Sequence, residues 1–102
     1  QIDFCKLGRL EFQEPDFRRF PCLGLAYRAA NEGGTTPAVL NAANEVSVDG
    51  FLKNRLGFVS IPKVIEKVLD KHRNIIEPGL DDILKADNWA RTEAYKFIHK
   101  LR

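Results

Sequence analysis

The segment PAVLNAANEV, residues 37–46, spaces its apolar side chains at helical intervals and therefore predicts an α-helix. Thr35 or Thr36 can cap this helix, Pro37 suits its first turn, and the apolar pattern continues to Leu52. Apolar residues cover most of its circumference, so we expect the helix to be the central one in a helical bundle.

Three polar residues interrupt this apolar helix. Asn41, Asn44 and Glu45 are spaced by three and four positions, which places them on one helix face, and asparagine is a poor helix former. A buried polar network could join the helix to a neighbouring segment, or the side chains could contact a ligand directly. We favour a structural network because no metal-ligand or nucleophile partner accompanies these residues.

Two further helices flank the central one in the sequence. Pro21 suits the start of a helix over residues 21–32, and Gly33 and Gly34 supply a left-handed stop. Ser60 is the predicted N-cap of a third helix, whose apolar stripe runs from residue 61 to residue 72.

The last part of the chain predicts a turn, a short helical segment from Leu80, and then a final helix capped by Asp87. Short connections between four helices indicate an antiparallel bundle over residues 21–102. The fold class is therefore mainly α.

Residues 1–20 differ from the bundle. GRLEF, residues 8–12, predicts a short strand, and EPDFRRFP, residues 14–21, predicts an irregular linker. The strand has no partner strand in this sequence, and the sequence contains no methionine. We therefore expect the chain to be a piece of a longer protein, with residues 1–20 ending another domain.

The composition argues against several classes of protein. The net charge is +2, with 16 basic and 14 acidic residues, so no strong field exists to recruit nucleic acid or a membrane surface. Cys5 and Cys22 form no metal-ligand spacing, and we interpret both as reduced thiols.

Motifs for catalysis or cofactor binding are absent from the sequence. It contains no glycine-rich phosphate loop, and His72 and His99 are too far apart to suggest a shared metal site. EGGTT, residues 32–36, could offer backbone amides to an anion, although a helix stop followed by a cap explains the same residues. The sequence therefore assigns no catalytic, cofactor-binding or metal-binding residue.

Four blocks of the sequence resemble the C-terminal part of the 1-deoxy-D-xylulose 5-phosphate reductoisomerase family. The blocks are IDFCKLGRLEF at residues 2–12, PDFRRFPCLGLAYRA at 15–29, GGTTPAVLNAANEVSV at 33–48 and LDDILKADNWAR at 80–91. Together they span nearly the whole chain, and the block around residues 37–46 is the most specific of them.

The resemblance implies part of an enzyme of the non-mevalonate isoprenoid pathway. The family converts 1-deoxy-D-xylulose 5-phosphate to 2-C-methyl-D-erythritol 4-phosphate with NADPH and a divalent metal, magnesium or manganese. It is homodimeric, and it is cytoplasmic in bacteria or plastidic in eukaryotes. Its NADPH, metal and substrate residues belong to segments upstream of Gln1.

The resemblance thus implies a structural role for this chain, which we expect to be inactive alone, to bind neither NADPH nor metal, and to contact the catalytic domain. The alternative is an independent helical module that binds another protein.

Overall fold

Four α-helices make up most of residues 21–101, which are the residues that the structure, a computed structural model, describes. They are α1 (Pro21–Glu32), α2 (Thr36–Leu52), α3 (Ile61–Lys71) and α4 (Leu80–Leu101), with a 3-10 turn at Phe58–Ser60 before α3. The mainly α prediction is confirmed. The strand and linker predicted for residues 1–20 lie outside the described residues.

Helix α2 is the centre of the bundle, as its apolar circumference predicted. It contacts α1, α3 and α4, while α3 also contacts both α1 and α4. The core is built from aliphatic side chains of all four helices and of the α2–α3 connection, namely Leu25, Val39, Ala42, Ala43, Val46, Leu56, Ile61, Val64, Ile65, Val68, Leu69, Ala90, Ala94 and Ile98.

Gly50 lies within α2, where a better helix former is expected from propensity alone, and the packing against α4 explains it. A methyl group at this position would come within 3.3 Å of the Cδ1 atom of Ile98 and 3.7 Å of Leu56. The glycine therefore allows the Ile98 side chain to pack directly against the backbone of α2.

Helix α4 is continuous, so the predicted division into a short segment and a helix capped by Asp87 is wrong. No glycine or proline occurs between Leu80 and Leu101 to break the helix. Asp87 instead accepts a hydrogen bond from Arg91 one turn later, at 3.0 Å. The helix starts after Gly79, whose N–H donates to the Asp82 carboxylate at 3.0 Å.

The turn between α1 and α2 packs tightly against the connection between α3 and α4. Gly33 and Gly34 have φ angles of +62° and +60°, which confirms the predicted left-handed stop. A Cβ atom on Gly34 would overlap the Ile75 carbonyl oxygen and the Asn74 side chain, whereas a Cβ on Gly33 would meet nothing within 4 Å. Only Gly34 is therefore required by both its conformation and its surroundings.

This difference predicts unequal effects of the same substitution at adjacent positions. Gly33→Ala should lower the free energy of unfolding by roughly 1–2 kcal/mol, the cost of a left-handed alanine. Gly34→Ala should cost roughly 1–3 kcal/mol more because the Asn74–Ile75 backbone must move. Urea unfolding of the two variants measures the difference, and equal losses would show that the two segments do not approach closely.

Candidate functional site

The polar residues of α2 lie on a surface shared with α4. Glu45 accepts a hydrogen bond from the side-chain amide of Asn41 at 3.2 Å, and its other carboxylate oxygen is 2.9 Å from Nη2 of Arg91. Arg91 also reaches both carboxylate oxygens of Asp87, at 3.0 and 3.3 Å. The guanidinium therefore connects the two helices at the surface.

We call Asn41, Asn44, Glu45, Asp87 and Arg91 the polar face. The three α2 residues are exposed in the described part of the chain, and the Asn44 side chain makes no hydrogen bond within residues 21–101. Hydrogen bonds from Arg91 to Asp87 and then to Glu45 raise the pKa of the guanidinium. The face is thus partly held in place by its own ion pairs, with Asn44 free to contact other groups.

The sequence predicted a buried network of Asn41, Asn44 and Glu45, whereas these side chains are exposed within residues 21–101, so a network with another segment stays a prediction. Sequence reasoning did not find Arg91. The spacing of Asp87 and Arg91, four positions apart, was the available signal for an ion pair on α4. No sequence pattern indicated that Arg91 would face Glu45, because that contact depends on how α2 and α4 pack.

A second polar cluster, which we call the threonine junction, holds the start of α2 to the α3–α4 connection. The backbone N–H of Thr35 donates to the Asn74 side-chain oxygen at 2.9 Å. The Thr35 hydroxyl oxygen accepts from the Ile75 N–H at 3.1 Å and lies 2.8 Å from Nε2 of His72. Thr35 is the N-cap residue of α2, as predicted, but its side chain links the two segments and makes no capping hydrogen bond. Its fully buried hydroxyl is therefore satisfied.

The same junction accounts for the EGGTT segment without an anion. The N–H of Thr36 donates to the carbonyl oxygen of Gly33 at 3.1 Å, and the N–H of Thr35 is engaged by Asn74. The N–H groups of Gly33, Thr35 and Thr36 are therefore already paired, which favours the helix-stop interpretation.

His72 ends α3 and faces both threonines. Its Nδ1 atom is 3.5 Å from the Thr36 hydroxyl, and its ring centroid is 5.9 Å from that of Trp89. A hydrogen on Nε2 allows the Thr35 hydroxyl to accept from His72 and to donate to Asn74 at 3.2 Å. Burial lowers the pKa of His72, against a smaller opposing effect of Glu32.

Glu93 is a nearly buried carboxylate on α4, with 8% of its side chain exposed. Lys71 at 2.9 Å and Lys96 at 3.2 Å pair with its two oxygens. The hydrogen bond from Lys71 is the main reason why the pKa of Glu93 is lowered. Since both carboxylate oxygens are used in these pairs, Glu93 ties α4 to the end of α3.

The described residues do not fit a metal centre or a membrane span. Within residues 21–101, no three side chains of His, Cys, Asp or Glu are grouped so that they could hold a metal ion. We therefore derive no metal-dependent step through this part of the chain. No helix in the same range is long and apolar enough to cross a membrane.

The described part of the chain is thus a helical-bundle domain whose polar face is held in part by the ion pairs of Arg91. A family model described as the DXP reductoisomerase C-terminal domain matches residues 1–93. The chain belongs to this family.

Relatives of known name support the same assignment. A 1-deoxy-D-xylulose 5-phosphate reductoisomerase from Pelotomaculum thermopropionicum is 52% identical over 101 residues, covering 99% of this chain and 26% of the relative. One from a Synechococcus species is 53% identical over 92 residues, covering 90% of this chain and 24% of the relative. The chain therefore spans about a quarter of the length of these relatives.

A solved structure shares the fold. The 1-deoxy-D-xylulose 5-phosphate reductoisomerase from Zymomonas mobilis, in complex with NADPH, superposes with a TM-score of 0.76 at 42% identity. The match covers 84% of this chain and 23% of that chain. The helical arrangement of residues 21–101 is therefore similar to that of a region in an intact reductoisomerase.

The lowered pKa of His72 predicts a loss of stability in mildly acidic solution. The unfolded chain binds a proton near the ordinary pKa of 6.5, whereas the folded chain resists it. The contribution of His72 is therefore complete above about pH 6.5 and decreases as the pH falls through the folded-state pKa. Urea unfolding between pH 7.5 and pH 5 measures this decrease.

Two variants assign the effect to this side chain. His72→Gln should be less stable at pH 7.5 but should lose less stability as the pH falls to 5. His99→Gln, which removes the other histidine of the chain, should retain the loss seen in the parent chain. An unchanged pH dependence in His72→Gln would contradict the assignment.

Proposed function

We propose that this chain serves as the C-terminal helical domain of an enzyme that converts 1-deoxy-D-xylulose 5-phosphate to 2-C-methyl-D-erythritol 4-phosphate. The enzyme would use NADPH and a divalent metal, magnesium or manganese, bound by residues outside this chain. It would act as a homodimer in the bacterial cytoplasm, or in a plastid in a eukaryote. The main support is the 52% identity to a named reductoisomerase across almost the entire chain.

The role of this domain in catalysis would be indirect. Residues 21–101 hold no group of three metal-ligating side chains, and their polar face joins two helices through ion pairs of Arg91. Such a surface can fix the position of a neighbouring loop or strand through amide and carboxylate hydrogen bonds. We therefore assign the polar face to contact with the catalytic part of the polypeptide, and not to contact with substrate.

A chimeric enzyme tests the proposed function. This chain replaces the matching C-terminal quarter of the Pelotomaculum thermopropionicum relative, and oxidation of NADPH is followed with the sugar phosphate and magnesium. The chimera should be active because the chain supplies the same helical domain, and the separate 102-residue chain should be inactive. A folded but inactive chimera, or turnover by the 102-residue chain alone, would contradict the proposal.

A substitution in the polar face should have different effects in the separate chain and in the chimera. In the separate chain, Asn44→Leu should change the free energy of unfolding by less than about 0.5 kcal/mol because Asn44 is exposed and unpaired within the described residues. In the chimera the same substitution should cost about 1–3 kcal/mol of stability, or an equivalent loss of rate, because a buried partner loses its hydrogen bond.

Asn31→Leu is the matched control, since Asn31 is also an exposed helical asparagine, located on α1. It should have a small effect in both contexts. Glu45→Ala should lose only an exposed ion pair in the separate chain, worth about 0–1 kcal/mol, and more in the chimera. Equal effects of Asn44→Leu in the two contexts would show that the polar face does not contact the catalytic part.

A further inference from the structure

Four lysine side chains meet at the seam between α3 and α4. We call Lys67 and Lys71 of α3, with Lys96 and Lys100 of α4, the lysine cluster. The ammonium nitrogens of Lys67, Lys71 and Lys100 lie 5.8, 5.7 and 5.9 Å from the centre of the Phe97 ring. Each of these contacts is a cation–π attraction, and together they gather three positive charges around one ring.

The acidic side chains of α3 are directed away from this cluster. Asp70 pairs with Arg28 of α1 at 2.9 Å, and Glu66 lines a cleft beside α1. Both acidic residues alternate with lysines along the sequence, but the fold places them on the α1 side of the helix and places Lys67 and Lys71 on the α4 side. The positive charge at the seam is therefore not neutralised by α3.

Glu93 is the one carboxylate that pairs with the cluster within residues 21–101. Its oxygens are 2.9 Å from Nζ of Lys71 and 3.2 Å from Nζ of Lys96. Lys67 and Lys100 are exposed and pair with no carboxylate in the described part of the chain. Four ammonium groups and one carboxylate leave a local charge of +3, whereas the net charge of the whole chain is +2.

The lysines also repel one another along each helix. Lys67 and Lys71 are four positions apart, as are Lys96 and Lys100, and like charges at this spacing destabilise a helix. Elsewhere on α1 and α4 and at the end of α2, ion pairs at the same spacing join opposite charges. A surface lined by one sign of charge concentrates ions of the opposite sign, so an anion at the seam would relieve this repulsion.

The dipoles of the two helices explain only part of the cluster. Lys71 and Lys100 lie in the last turns of α3 and α4, where positive charge is favourable. Lys96 precedes the last turn of α4 but pairs with Glu93. Neither reason applies to Lys67, which brings an unpaired charge to the Phe97 ring.

The arrangement fits a small anion that carries several charges. Three of the ammonium nitrogens lie within about 6 Å of one ring centre, so the charge is concentrated in one place, whereas nucleic acid presents its phosphates along an extended backbone. Lysine binds phosphate as a point charge and lacks the fork of donors with which arginine grips a single carboxylate. A polyphosphate anion offers several charged oxygens to several such point charges.

We propose that the lysine cluster binds a small polyphosphate anion, which is either free pyrophosphate or the diphosphate group of a larger molecule. Lys67 and Lys100 supply the unpaired charges, and Glu93 holds Lys71 and Lys96 beside them. The Phe97 ring keeps the ammonium groups of Lys67, Lys71 and Lys100 together before the anion binds.

Isothermal titration calorimetry of the 102-residue chain tests the site, with sulfate as the reference anion at constant ionic strength. Pyrophosphate should bind about tenfold or more tightly than sulfate because it carries more charge. Titration with ADP distinguishes the two sources: tighter binding of ADP assigns the site to a diphosphate group in a larger molecule, and tighter binding of pyrophosphate assigns it to the free anion. If neither binds more tightly than sulfate, the proposal is overturned.

Two double variants assign the binding to the cluster. Lys67→Gln with Lys100→Gln removes the two unpaired charges and should weaken pyrophosphate binding by about tenfold or more. Lys53→Gln with Lys85→Gln removes the same total charge from exposed positions outside the cluster and should change the affinity by less than about twofold. Lys85 is suited to this control because it precedes Phe97 by about 18 Å along α4. Equal losses in both variants would mean that pyrophosphate responds only to total charge, which would overturn the proposal.

Urea unfolding supplies a readout that does not depend on calorimetry. A ligand that binds only the folded chain raises its stability, so pyrophosphate should raise the urea midpoint of the parent chain but not that of Lys67→Gln with Lys100→Gln. Equal increases in the two proteins would contradict a site at the cluster. A short polyglutamate peptide is titrated in parallel, and binding of the peptide without binding of pyrophosphate would assign the cluster to an acidic protein segment, which would also overturn the proposal.

Discussion

The structure depends on the close approach of two connections, the α1–α2 turn and the α3–α4 segment. Gly34 has no side chain that would prevent this approach, and Thr35 fills the contact with a buried hydroxyl that is hydrogen-bonded. The approach fixes where α2 begins relative to where α3 ends. Because α2 contacts every other helix, an error at this point would be transmitted to the whole core.

The packing of the core follows from the same geometry. With α2 fixed at its start, Gly50 allows Ile98 of α4 to pack against the α2 backbone. The pairs formed by Glu93 with Lys71 and Lys96 then hold α4 beside the end of α3. A few polar contacts at the ends of the helices thus determine how the aliphatic core is assembled.

The helices that sequence could predict are those whose limits are marked by local chemistry. Pro21, the paired glycines and the apolar period placed α1 and α2 correctly, and the position of α3 was predicted by its amphipathic stripe. The break at Asp87 was predicted wrongly, because aspartate is both a common N-cap and a good partner for an arginine one turn later. Local sequence does not distinguish these two uses.

The polar face and the threonine junction could be predicted from the sequence only in part. The polar face of α2 follows from helical spacing alone, but its contact with Arg91 and the grouping of Thr35, His72 and Asn74 join residues that are 37 to 46 positions apart. Such pairings depend on the tertiary arrangement of the helices. The family of the chain, in contrast, is indicated by four short blocks of sequence, and the family model matches residues 1–93.

The two ends of the described unit lie at the same end of the bundle. Pro21 borders a cleft with Val59, and Leu101 borders a groove with Ser60, so both ends are next to one 3-10 turn. A unit with adjacent ends can be inserted into a loop of a host protein without stretching that loop. The bundle can therefore be moved between hosts with its helix order unchanged. It can also be circularly permuted, by joining its ends and opening another connection, with its core unchanged.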